Sequence, residues 1–152
     1  MTGAGLHVID AFVNLAGPIA SVDARMFKQK VPPDPRDAAA ALVQFESGAT
    51  GVLATVRAAP MYWRIMIFGT NGWAEARDET VLTTALVGQA PETKVFPAVD
   101  SLGVILEAFG ETIETGKPFV VSTNDMLDVA GAFEAIIRSM AEGGPVQVTR
   151  GA

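Results

Sequence analysis

A chain of 152 residues is the length of one domain and long enough to bury a substantial core. Its formal charge of −6 comes from acids scattered along the sequence without any basic cluster, which argues against nucleic acid and anionic membranes as partners. Zero cysteines exclude disulfides, cysteine nucleophiles and thiolate metal sites, and one histidine with dispersed acids gives no convergent set of metal ligands.

Hydrophobic residues make up 49% of the chain, as in a globular protein. No apolar run approaches the roughly 18 residues of a membrane span, and no basic-then-apolar leader is visible, so a cytoplasmic location is expected.

In chain order, a first helix is expected over residues 5–16, closed by Gly17-Pro18, where glycine accepts the C-cap conformation and proline cannot continue the helix. Residues 7, 10 and 14 fall on one face of it, so His7, Asp10 and Asn14 form a polar stripe, with Leu6, Ile9, Phe12, Val13 and Leu15 as apolar surface around them. A strand follows at 19–27, then a proline-stiffened loop at 28–36 that is too short to divide domains.

From Asp37 the apolar period becomes two. Ala39, Ala41, Val43 and Phe45 share one face of a strand and Ala38, Ala40 and Leu42 the other, and Ser47-Gly48-Ala49 turns the chain into a strand at 50–58. A further strand at 62–68 has Trp63, Ile65 and Ile67 opposite Arg64, Met66 and Phe68, and Gly69-Thr70-Asn71-Gly72 reads as a tight hairpin, because Asn-Gly tolerates positive φ. Strands near 73–76, 80–87 and 94–96 complete the meander.

The composition then turns helical. Ser101 is the expected cap of a helix with Leu102, Ile105, Phe109 and Ile113 at helical spacing, ending at Gly116-Lys117-Pro118. Ser122, Thr123 or Asn124 caps a last helix whose apolar face is Met126, Val129, Ala130, Phe133, Ile136, Ile137 and Met140. Gly143-Gly144-Pro145 ends it before a strand at 146–149.

This order defines an α+β domain, a mostly antiparallel open sheet with helices on one face. Because the strands are apolar on both faces, the second face needs a cover that helices on the first cannot give, and a sheet-to-sheet homo-oligomer, dimer or tetramer, is the expected cover.

Several segments taken in order carry a family resemblance: Gly5-Leu6-His7-Val8-Ile9-Asp10, Leu15-Ala16-Gly17-Pro18, Phe45-Glu46-Ser47-Gly48-Ala49-Thr50-Gly51, Phe68-Gly69-Thr70-Asn71-Gly72, Gly116-Lys117-Pro118 and Ala135-Ile136-Ile137-Arg138-Ser139. Together they resemble the C-terminal domain of the Gfo/Idh/MocA oxidoreductases, a fold like the C-terminal domain of glyceraldehyde-3-phosphate dehydrogenase. The resemblance covers essentially the whole chain. It implies one substrate-binding and oligomerisation domain at 1–152, with the family's N-terminal Rossmann domain, which holds NAD or NADP, absent from this chain.

The residues agree that the chain itself holds no dinucleotide. The phosphate fingerprint needs Gly-x-Gly-x-x-Gly, and after Gly3-Ala4-Gly5 the third glycine position is Val8. The family's lysine motif, Glu-Lys-Pro, is missing too. On this resemblance Met1 is an internal methionine of a longer enzyme acting on a sugar- or polyol-like hydroxyl.

His7 is the candidate proton carrier, since an imidazole near neutral pKa can take the hydroxyl proton of a carbinol whose carbon gives up a hydride. The competing reading is a histidine satisfied by core hydrogen bonds. Asp10 is its candidate orienting partner or a structural carboxylate, and Asn14 is read as satisfying backbone groups near the helix end. Gly3 stands where the family commonly carries an aspartate four residues before the histidine, so the usual acid/base trio is incomplete. Gly3-Ala4-Gly5 could otherwise form an anion-attracting turn, and Arg64 is expected at a sheet interface or its rim. Two other functions stay open: a stand-alone dimerisation or binding domain, and a small cofactor-free acid/base enzyme.

Overall fold

A computed structural model describes residues 4–28, 36–57, 60 and 62–149. Helix α1 spans Ala4–Ala16, and strands β1 (Ile19–Lys28), β2 (Arg36–Phe45) and β3 (Thr50–Val56) follow. Next come β4 (Arg64–Gly69), β5 (Gly72–Arg77), β6 (Val81–Leu86) and β7 (Glu92–Val95), then α2 (Ser101–Thr115), α3 (Thr123–Glu142) and β8 (Pro145–Gln147). The α+β class and antiparallel pairing expected from the sequence are both present, and the expected loop at 28–36 lies largely outside the described residues.

The strands separate into two four-stranded sheets, ordered β3-β2-β1-β8 and β4-β5-β6-β7. Between β3 and β4 stands Pro60, which has no N–H to give to a ladder. The chain divides accordingly into two compact units, Met1–Ala59 with Val120–Ala152, and Pro60–Phe119.

In the first unit, α1 and α3 pack on one face of the sheet. Ile9 and Val13 from α1 and Ala132, Ala135 and Ile136 from α3 are buried with Val22, Ala24, Ala41, Val43, Phe45, Leu53 and Val146. Phe12 adds a tilted ring contact with Phe45, centroids 6.1 Å apart. Gly51 lies beneath both: a Cβ there would come within 3.1 Å of the Phe12 ring and 3.0 Å of Val43.

The buried face of α3 differs from the one read in the sequence. Asp128, Gly131, Ala132, Ala135, Ile136 and Ser139 are buried, while Met126 and Ile137 are each 49% exposed. Small residues let the helix approach closely, and a Cβ on Gly131 would already lie 3.0 Å from the Thr149 carbonyl oxygen. Hydrophobic periodicity marks the largest side chains, whereas the closest packing uses the smallest.

Ser139 is fully buried in this seam. Strand β8 pairs with β1 only as far as Asp23↔Pro145, which leaves Ala24 and Gly144 as the next position of the ladder. There the Ser139 Oγ accepts the Ala24 N–H at 2.8 Å and donates to the Gly144 carbonyl at 2.5 Å, continuing the ladder through a hydroxyl.

Two caps correct or refine the sequence reading. Asp100, not Ser101, caps α2, its Oδ1 accepting the Gly103 N–H at 3.0 Å, and Ser101 is the first helical residue. A carboxylate accepts this bond as well as a hydroxyl and also suits the positive helix end. Ser122 caps α3 in a capping box: its Oγ accepts the Asp125 N–H at 3.1 Å, and Asp125 Oδ2 accepts the Ser122 N–H at 3.0 Å. At the β4–β5 hairpin it is Gly72 that takes positive φ, +149°, and Asn71 does not; a side chain at Gly72 would strike the Ala85 carbonyl.

Removing the Ser139 hydroxyl orphans a buried donor and a part-buried acceptor. Ser139→Ala should therefore lower unfolding free energy by about 1–3 kcal/mol, read as a lower urea midpoint with unchanged slope.

Hydrogen bonds from the Ser122 hydroxyl and then its backbone N–H hold the Asp125 carboxyl below its ordinary value of 3.8. A depressed folded-state pKa stabilises above the unfolded value and is lost as pH falls through the folded one. Thermal melts between roughly pH 5 and pH 2 should show Asp125→Asn losing less stability in acid than the parent chain.

Candidate functional site

The burial of Ile9 and Val13 fixes how α1 is turned. Residues 7, 10 and 14 sit about 100–160° around the helix from Ile9, so His7, Asp10 and Asn14 are all exposed as one polar stripe. The reading of His7 as a core histidine is thereby overturned. Among the described residues no hydrogen-bond partner holds its ring.

Asp10 is engaged by Asn14 and not by His7. Asn14 Nδ2 donates to the Asp10 carbonyl at 3.3 Å and approaches Asp10 Oδ1 at 3.5 Å. The first contact gives Asn14 the backbone-satisfying role expected of it; the second is long and weak.

Gly3 lies outside the described residues. Ala4 and Gly5 are already helical and Gly5 is buried, so this pair forms helix and not the turn considered for it. With Val8 at the third glycine position, the residues present do not make a dinucleotide cradle. Among the described residues no three His, Asp or Glu side chains converge as metal ligands, and no helix is long and apolar enough to cross a membrane.

The second unit carries a polar group that sequence reasoning missed. Glu75, its side chain 14% exposed, sits 3.2 Å from Arg77 Nε and 3.9 Å from Arg64 Nη1. Arg64 opens the edge strand β4, paired with Arg77, which puts it at a sheet rim as expected. Alternation alone could have found the group, since residues 75 and 77 share a face; the register that adds Arg64 is not visible in sequence. Tyr62 is exposed and Trp63 half-buried.

The opposite face of the first sheet is uncovered. Phe27 (49% exposed), Leu42 (61%), Val52 (67%) and Val56 (49%) lie on it, with Ala40 and Ala54 between them. Apolar alternation on both faces of β2 is thus realised with one face in the core and Leu42, on the other, in solvent.

This α+β fold is one that known proteins share. The GFO/IDH/MocA C-terminal domain matches residues 1–75. A search of curated proteins finds no match.

Among solved structures, aldose-aldose oxidoreductase from Caulobacter crescentus, complexed with glycerol, is 25% identical with a TM-score of 0.78, covering 94% of this chain and 45% of that one. Levoglucosan dehydrogenase in complex with NADH is 23% identical with a TM-score of 0.82, covering 97% and 50%. A Desulfitobacterium hafniense protein assigned to the NADPH-dependent oxidoreductases is 23% identical with a TM-score of 0.86, covering 97% and 47%.

Residues 1–75 thus match the C-terminal domain of the Gfo/Idh/MocA family, in line with the motif resemblance, and the chain shares the fold of these oxidoreductases over nearly its whole length. It spans about half the length of the solved structures it matches.

An exposed side chain with no partner among the described residues contributes little to folding. His7→Ala should leave unfolding free energy within about 0.5 kcal/mol of the parent, measured by urea titration; a larger loss would return His7 to a structural role.

Proposed function

We propose that residues 1–152 are one substrate-binding and oligomerisation domain of an NAD(P)-dependent oxidoreductase acting on a sugar- or polyol-like hydroxyl. The observation that carries this reading is the exposed His7–Asp10–Asn14 stripe on a helix whose other face is locked in the core. Levoglucosan dehydrogenase, which shares the fold, has been solved with NADH and levoglucosan and with NADH and L-sorbose, and these ligands support a polyhydroxylated substrate class here.

Bound by a nucleotide domain supplied by the rest of the enzyme, NAD or NADP would exchange the hydride. The part assigned to this chain is the proton. The neutral His7 imidazole takes the hydroxyl proton as the carbinol becomes a carbonyl, and returns it in the reverse direction. Asp10, one helical turn on, is the orienting partner of the imidazole in the assembled site. The open sheet face joins copies into a dimer or tetramer, and the enzyme works in the cytoplasm.

Gly3, standing where the family commonly has an aspartate, favours a second reading, a non-catalytic dimerisation domain.

Calorimetry with this chain alone should show no NAD(H) or NADP(H) binding at micromolar concentration. In the enzyme that includes its nucleotide domain, His7→Ala should depress turnover by about 10²–10⁴ while the fold persists. Unchanged turnover would favour the second reading.

A further inference from the structure

The open face of β3-β2-β1-β8 has one charged pair near its apolar middle, with Ser21, Gln44, Thr50 and Gln147 in a polar row toward one end. Asp23 and Arg25 project from β1 beside Phe27, level with Leu42 and Ala40 on β2. Arg25 Nη1 lies 2.7 Å from Asp23 Oδ1, and the two side chains are 37% and 49% exposed for Asp23 and Arg25. Arg25 also donates to the Ala24 carbonyl at 3.0 Å, which holds it down along its own strand. A depression of about 200 Å³ opens between Asp23, Arg25, Phe27, Ala40, Leu42 and Val52.

We propose that Asp23 and Arg25 are the polar key of a two-fold dimer formed by the open faces of two copies of this chain. The proposal rests on the reading of that face as self-associating. In an isologous contact residue i of one copy meets j of the other, and j meets i. Neighbouring opposite charges on one strand suit this operation: rotation by 180° lays each Arg25 over the other copy's Asp23.

An uncharged apolar cover would instead strip water from this ion pair and offer neither charge a further partner, which is costly. A second copy supplies each charge with a further opposite partner, and Leu42 or Phe27 of each copy can fill the other's depression. Charge complementarity therefore selects a second copy over an unrelated apolar partner. It also sets the register, which an all-apolar sheet face specifies weakly.

The test is light scattering with sedimentation over a micromolar range on the full chain, with circular dichroism and thermal melts to verify folding. The parent should be dimeric and Leu42→Asp monomeric. Asp23→Arg and Arg25→Asp, which give each copy like charges, should each weaken the dimer at least about tenfold. Mixed one to one they should recover it, because each now carries the other's complement. If a reversal disturbs folding, Asp23→Asn and Arg25→Gln give the same comparison with smaller losses.

A monomeric parent, or a dimer indifferent to Leu42→Asp, would overturn the open face itself as the contact. A dimer broken by Leu42→Asp but untouched by the charge variants, or a mixture that fails to reassociate, would overturn the key and leave the face standing.

Discussion

The close approach of α3 to β1 is the constraint on which the first unit depends. It joins the end of the chain to its beginning, since Val120–Ala152 and Met1–Ala59 share that unit. Gly131, Ala132, Ala135 and Ser139 make the approach possible by offering little bulk, and the Ser139 hydroxyl occupies the ladder position that β8 leaves open. A larger apolar residue at 139 would satisfy neither the Ala24 N–H nor the Gly144 carbonyl. Here a polar atom is what allows the backbone to be buried.

The position of α1 follows from that seam. It lies against α3 and the sheet through Ile9, Val13 and Phe12, and the space for Phe12 exists because position 51 has no side chain. With that face committed, α1 cannot rotate to bury His7 without exposing Ile9 and Val13, each worth roughly 1.5–3 kcal/mol of burial. The outward stripe is therefore enforced by the core and costs the chain no buried histidine. Nothing within the described residues fixes the His7 ring, so its orientation falls to whatever the stripe meets. Proton transfer needs hydrogen-bond reach to the reacting hydroxyl, and the contacts that would set that reach lie beyond the helix.

Much of this was legible in the residues. Period-two alternation found β2 and β3, Gly17-Pro18 and Gly143-Gly144-Pro145 ended α1 and α3, and helical spacing put His7, Asp10 and Asn14 on one face. What escaped was non-local. Periodicity turned α3 toward its large residues, because a seam of small residues gains from distance of approach, which hydrophobicity does not encode. The cap of α2 moved from Ser101 to Asp100 because neighbouring capping residues compete within one residue of each other. The division into two sheets and the grouping of Glu75 with Arg64 and Arg77 depend on pairing and register, which local patterns do not contain.

The two uncovered apolar surfaces differ in what they require. A sheet face can stand in water while its backbone bonds remain intact along the ladder, so exposure of Leu42 and Val52 costs solubility more than structure. Helix α2 is different: none of its residues is buried, although Leu102, Leu106, Phe109 and Ile113 line one side at 53–69% exposure. Fifteen residues are marginal for a helix without tertiary packing, and Asp100, the left-handed Gly116 and the Phe109–Phe119 edge contact contribute only local support. The stability of α2 thus tracks how well that side is covered, whereas the sheet keeps its order with or without a cover. Association at the sheet face changes the oligomer; cover on α2 changes whether the helix persists.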